Sequence, residues 1–156
     1  MDDNGHGTHT ASTAVGTQYG IAKASTIIAV KVLGANGSGA YSDIIAGIEW
    51  VMNTAAASGR PSVANMSLGG PARASLDQAV KNAIKSGVHF AVAAGNAATD
   101  ADDTSPARGK NSFPIIQTTP DISLKQFRKP IPLVQSTERM RCKHGLSRPW
   151  LGLTTR

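Results

Sequence analysis

Three short runs without charge-rich interruption constrain this chain more than any other feature: residues 25–33, 62–67 and 88–94. Each is rich in Val, Ile, Ala or Phe, and the apolar character is continuous rather than alternating. Such runs read as strands of a parallel sheet buried on both faces. Helical stretches separate them. Ser42 is placed to cap the first, with Asp43 in its opening turn. Ile44, Ile45, Ile48, Val51 and Met52 then recur at helical spacing, and Gly59 followed by Pro61 ends the stretch. Ser75-Leu76-Asp77-Gln78 has the form of a capping box, opening a second helix through Ala79, Val80, Ala83 and Ile84 that closes at Gly87. Both stripes are read as core. Strands alternating with helices across short links predict an α/β fold. The sheet is a partial doubly wound parallel one, with helices on both faces and right-handed crossovers. Ligands bind such sheets at the carboxyl ends of the strands. Three loops are expected there, at residues 34–41, 67–70 and 95–98.

Asn4-Gly5-His6-Gly7-Thr8-His9-Thr10-Ala11 precedes the first strand. Glycines on either side of a histidine permit a sharp turn, because Gly adopts backbone angles that other residues resist. Small residues follow, and they carry the turn into a helix. This places the imidazole of His6 at a helix mouth, where the positive end of the dipole disfavours imidazolium. A neutral, basic imidazole there suits general-base chemistry near neutral pH.

The 156 residues are enough for one modest domain with a core. No stretch is apolar for the ~18 residues that a membrane helix needs. The formal charge of +6 is unevenly spread. Residues 1–107 hold six Lys or Arg against eight Asp or Glu, a net of −2, while residues 108–156 hold ten against two, a net of +8. The last third also loses periodicity and is broken by Pro114, Pro120, Pro130, Pro132, Gly145 and Pro149. Its few scattered aromatics (Phe113, Phe127, Trp150) form no stacking platform for bases, so nucleic acid is not an expected partner. Cys142 is the only cysteine, which excludes an intrachain disulfide. The expected division is a folded unit over 1–107 and an irregular basic tail over 108–156.

The motif around His6 resembles the histidine motif of subtilisin-like serine proteases, with wording similar to the proteinase K-type fungal branch. Ala64-Asn65-Met66-Ser67-Leu68-Gly69-Gly70 resembles their substrate-pocket strand, and Ala93-Ala94-Gly95-Asn96 their oxyanion-asparagine loop. Val30-Lys31-Val32-Leu33, followed by Gly37-Ser38-Gly39, is similar to the strand and loop between them. The four motifs occur in the family's order and span residues 2 to about 107. The resemblance implies a serine-type endopeptidase, with His6 as general base and Asn96 donating its amide to the oxyanion. His9, one turn along the helix, takes a structural role. Ser38, Gly39 and Ala40 would form one edge for an extended substrate backbone, and Ser67, Leu68 and Gly69 the other. Gly69 and Gly70 would leave room for a substrate side chain. A polypeptide substrate or propeptide is the implied partner, with an extracellular setting and a monomeric chain. Calcium is implied by the family, but no ligands are assignable; Asp100, Asp102 and Asp103 read as solvent-facing.

Two members of the family's triad lack counterparts in this sequence. The order along such chains is Asp, His, Ser, yet only Met1 to Gly5 precede His6. Gly-Thr-Ser-Met-Ala is absent, and Gly145-Leu146-Ser147-Arg148-Pro149 is too faint an echo to assign Ser147 as nucleophile. The expectation is the middle third of a protease joined to an out-of-frame tail. Such a chain would be inactive as written; a non-catalytic fragment that binds peptides or a propeptide is the alternative.

Overall fold

The computed structural model describes residues 1–109, 113–115 and 149–153. Helix α1 (His6–Val15) leads into strand β1 (Thr26–Ala29). Helix α2 (Tyr41–Ser58), strand β2 (Val63–Met66), the short strand β3 (Gly70–Pro71), helix α3 (Ala74–Lys85) and strand β4 (His89–Ala93) follow. A 3-10 turn at Ala101–Asp103 precedes β5 (Thr104–Ser105), and two further strands, β6 (Phe113–Ile115) and β7 (Pro149–Leu153), complete the described elements.

The main sheet has the order β1-β7-β2-β4-β6, and every pairing in it is parallel. The expected α/β class is therefore the observed one. Strand β7 lies between β1 and β2, with Thr26 opposite Pro149 and Met66 opposite Leu153. The segment expected to be irregular thus contributes β6 and β7. Its remaining positions, including Cys142 and Ser147, lie outside the described residues. A two-stranded antiparallel ladder, β3 with β5, stands apart.

Helices α2 and α3 pack against each other and so cover the same face of the sheet. From α2 come Ile44, Ile48, Val51 and Ala55, and from α3 Leu76, Val80 and Ala83, all buried. They meet Ala64 and Met66 of β2 and Phe90 and Val92 of β4 in one core. Burial of each large apolar side chain is worth about 1.5–3 kcal/mol. Along β2 and β4 the intervening residues Val63, Asn65, Ala91 and Ala93 are only partly buried, and β1 has no fully buried residue. The continuous apolar runs therefore overstate burial: the deeper packing is on the α2/α3 face.

The strands are also shorter than the apolar runs. After Ala29 the chain leaves the ladder, and Val32 turns into the core at 6% exposure. Both helix starts differ from expectation. The N-cap of α2 is Ala40, not Ser42, and the N–H groups of Asp43 and Ile44 donate to its carbonyl at 3.1 and 3.2 Å. The N-cap of α3 is Arg73, whose side chain makes no capping bond. The expected capping box does not form, because Gln78 points along the helix and donates to Asn82 Oδ1 at 2.7 Å. The two helix ends are as expected: Gly59 and Gly87 take positive φ of 62° and 99°.

Candidate active-site cleft

The first requirement of the site is a turn that delivers an imidazole to the carboxyl edge of the sheet. Gly5, at φ 97°, is the N-cap of α1, and His6 is the first residue of the helix. A glycine N-cap supplies no side-chain acceptor, so the orphan N–H groups of the first turn need another partner. Asp2 provides it. Its Oδ1 accepts from the N–H groups of Asn4 (3.1 Å) and Gly5 (3.0 Å). Its Oδ2 accepts from the Thr8 N–H (2.8 Å) and the Thr8 hydroxyl (2.6 Å). The Thr8 hydroxyl, together with the Gly5, Thr8 and Asn4 amides, holds this carboxyl well below the usual carboxylate range. Asp2 carries no role in the sequence reading. A short acid three residues before a glycine N-cap is the signal that could have identified it.

Two further contacts fasten this turn to the loop after β1. Asn4 Nδ2 donates to the Ala35 carbonyl at 3.2 Å, and the Asp3 carboxylate lies 3.1 Å from Lys31 Nζ. The loop is closed on itself by Gly34 N–H to the Ser38 carbonyl (2.8 Å) and Gly37 N–H to the Gly34 carbonyl (3.1 Å). The Ser38 N–H donates to Asn36 Oδ1 at 3.0 Å. Residues 38–40 pair with no strand among the described residues, so the expected edge strand is an unpaired edge ahead of α2. Gly39 is required by close approach: a Cβ there would lie 2.5 Å from the Val32 carbonyl oxygen and 2.7 Å from Leu33 Cδ2.

The opposite wall is the exit of β2. Ser67, Leu68 and Gly69 leave the sheet toward β3, with Asn65 Nδ2 donating to Ser67 Oγ at 2.9 Å. Between the walls lies a cavity of about 320 Å³ lined by His6, Leu33, Gly37, Ser38, Gly39, Tyr41, Ile44, Ser67, Leu68, Gly69 and Leu76. Six of the eight singled-out residues thus border one space, although they come from three separate segments. Ala40 and Asn96 do not line it. Ala40 is taken up as the N-cap of α2. Asn96 is exposed in the bend after β4, following Gly95 at φ 98°. That bend is nevertheless close to the β2 exit. Thr104 lies against both, since a Cβ on Gly69 would be 3.2 Å from Thr104 Cγ2, and one on Gly95 would be 3.7 Å from Thr104 Oγ1.

Gly70 departs from its expected part. A Cβ there would sit 2.5 Å from Tyr41 Oη, so Gly70 makes room for a tyrosine of the protein rather than for a substrate side chain. The Tyr41 hydroxyl donates to the Pro71 carbonyl at 3.0 Å. Leu33, Tyr41, Ile44 and Leu76 are lining residues that the sequence reading did not assign to the site. Ile44 and Leu76 were read as core, and they are buried as well as facing the cavity floor. His9, expected to be structural, has an exposed side chain, while its carbonyl accepts from the Ser12 and Thr13 hydroxyls. Asp100, Asp102 and Asp103 are exposed, as read. Among the described residues no three His, Cys, Asp or Glu side chains group as metal ligands. No helix there is long and apolar enough to cross a membrane.

A sequence model of the subtilase family matches residues 1–136. The chain is 49% identical over 120 residues to the subtilisin-like serine protease Pen ch 13 of Penicillium rubens, covering 76% of this chain and 30% of that protein. It is 52% identical over 118 residues to alkaline serine exoprotease A of Vibrio alginolyticus, covering 76% and 22%. To the subtilisin-like serine protease Rho m 2.0101 of Rhodotorula mucilaginosa it is 49% identical over 123 residues, covering 76% and 36%. The chain therefore spans about a third or less of the length of these relatives. Among solved structures, a cold-adapted subtilisin-like serine proteinase superposes with a TM-score of 0.72 at 52% identity, covering 76% of this chain and 42% of that one.

Proposed function

The chain belongs to the subtilase family, and from that premise we propose that residues 1–109 form the peptide-binding half of a subtilisin-like serine endopeptidase site. The observation that carries this reading is the single cavity bordered by His6, by Ser38 and Gly39, and by Ser67, Leu68 and Gly69. An extended peptide laid between residues 38–40 and residues 67–69 would form main-chain hydrogen bonds on both sides. One side chain would enter the space, its methylenes or methyls against Leu33, Tyr41, Ile44 and Leu76.

In this reading the reaction is acyl transfer, in which a serine oxygen attacks the scissile carbonyl and a neutral imidazole takes its proton. His6 is that base, and the Asn96 amide stabilises the developing oxyanion from the neighbouring loop. The 156-residue sequence contains no Gly-Thr-Ser-Met-Ala string. By itself, then, the chain holds an extended polypeptide or a propeptide without cutting it. The setting is extracellular and the chain acts as a monomer.

The test is to incubate the purified chain with a fluorophosphonate probe and, separately, with a fluorescent peptide of alanines flanking one leucine. Saturable peptide binding without covalent labelling is expected. Stoichiometric labelling would overturn the claim that the chain alone does not cut. Absence of binding would overturn the peptide-cleft reading.

A further inference from the structure

Arg73 occupies a position that the peptide-cleft reading leaves unused. Its guanidinium lies 4.9 Å from the centroid of the Tyr41 ring, and that ring is part of the cavity wall. The stacking is firmly based on both sides. The Tyr41 hydroxyl is tied to the Pro71 carbonyl at 3.0 Å. The Arg73 backbone N–H donates to Ser105 Oγ at 2.8 Å, and Ser105 is fully buried. The backbone of Arg73 is thus anchored while its side chain is exposed.

The charges around it favour a free cation beside the Tyr41 ring, next to the residues that line the cavity but not one of them. Asp77, the only acid of α3, is already engaged by another arginine, Arg108, at 3.0 Å. Asp43 on α2 is two residues beyond Tyr41, which puts it on a different side of the helix, and it is exposed. Arg73 is also the N-cap of α3 and has no side-chain capping bond, so the positive end of that helix adds to its field. A guanidinium stacked on an aromatic face keeps its fork of donors available at the edges.

We infer that Arg73 is a specificity-determining residue, selecting extended peptides that carry a carboxylate at the side chain entering the Tyr41 cavity. This rests on the peptide-cleft reading above. A glutamate matches the mixed chemistry: its methylenes would meet Leu33, Ile44 and Leu76, and its carboxylate would extend past the Tyr41 ring to the guanidinium stacked on it. A glutamine of the same shape lacks the charge and gains only a weaker hydrogen bond.

The experiment measures binding of two capped fluorescent hexapeptides to the full chain, identical except for Glu or Gln at one position in an otherwise all-alanine background, so that only that side chain is large enough to fill the cavity. At about 20 mM salt the Glu peptide binds roughly three- to fivefold more tightly, the range of a solvent-exposed charge pair. At about 0.5 M salt the advantage falls below roughly twofold through screening. Arg73→Gln abolishes the discrimination while the Gln peptide binds as before, and Arg73→Lys retains part of it. Equal affinities of the unsubstituted chain for both peptides would overturn the role of Arg73 and leave the cleft standing. Failure of both peptides to bind would overturn the cleft and this inference together. Discrimination that survives Arg73→Gln would overturn the assignment to this residue.

Discussion

The Asp2 carboxylate accepts the Thr8 N–H at 2.8 Å, bridging the turn that carries His6 from one side to the other. The four hydrogen bonds at this carboxylate depress its pKa below the usual range, while in the unfolded chain an Asp titrates near about 3.9. Its support of the turn is therefore fully present above about pH 4 and is lost as pH falls through the lowered folded value. Amide-exchange protection at Gly5 and Thr8 is expected to be constant from about pH 6 to pH 4 and to weaken only at lower pH. Asp2→Asn should lose most of that protection at every pH and broaden the His6 ring signals. Unchanged protection in Asp2→Asn would show that the turn is held otherwise.

Gly39 and Gly37 sit two residues apart in the same loop for different reasons. A Cβ on Gly39 would press on the Val32 carbonyl, a backbone atom that cannot move aside, whereas Gly37 faces open space at φ 77°. Gly39→Ala should cost about 1–3 kcal/mol by overpacking and Gly37→Ala about 1 kcal/mol from the left-handed backbone. Urea unfolding of the two variants checks the order. A larger loss in Gly37→Ala would contradict the close-approach account.

Gly70 and Tyr41 are coupled through a single atom. With a Cβ 2.5 Å from Tyr41 Oη, Gly70→Ala must displace the ring and break its bond to Pro71. Removing that oxygen relieves the clash, so Gly70→Ala in a Tyr41→Phe background should cost less than in the parent chain. A coupling energy of about 0.5–3 kcal/mol is expected from the double-mutant cycle, as for residues in direct contact. Additive effects would mean that the two do not meet.

The α/β alternation and the position of His6 at a helix start were legible because both depend on local pattern: apolar runs of strand length, and glycine on each side of a histidine. The helix caps were not. Ser42 and the Ser75–Gln78 box carry the right residue types, but tertiary contacts start α2 at Ala40 and α3 at Arg73. In the site, six of the eight residues carried by family motifs border the cavity, and Ala40 and Asn96 do not. Leu33, Ile44 and Leu76 were hidden because a residue at core spacing looks the same whether it faces another helix or a cavity. Tyr41 and Gly70 form a pair 29 positions apart, which no local motif announces.

Leu76 serves both core and cavity, being fully buried and part of the lining. Leu76→Ala should destabilise the chain by about 2–5 kcal/mol and weaken binding of a leucine-containing peptide more than that of an all-alanine one. Thermal unfolding and peptide titration measure the two effects. Loss of stability with no change in the leucine preference would remove Leu76 from the pocket.

The account stands on His6 and the two loop edges forming one peptide-binding cleft. The most direct measurement is an NMR titration of the isotope-labelled chain with an uncleavable extended peptide, following the His6 ring and the Gly39 and Gly69 amides in one experiment. All three should shift together along a single isotherm with the same Kd. Three different midpoints, or saturation at the two glycines with His6 unmoved, would contradict it.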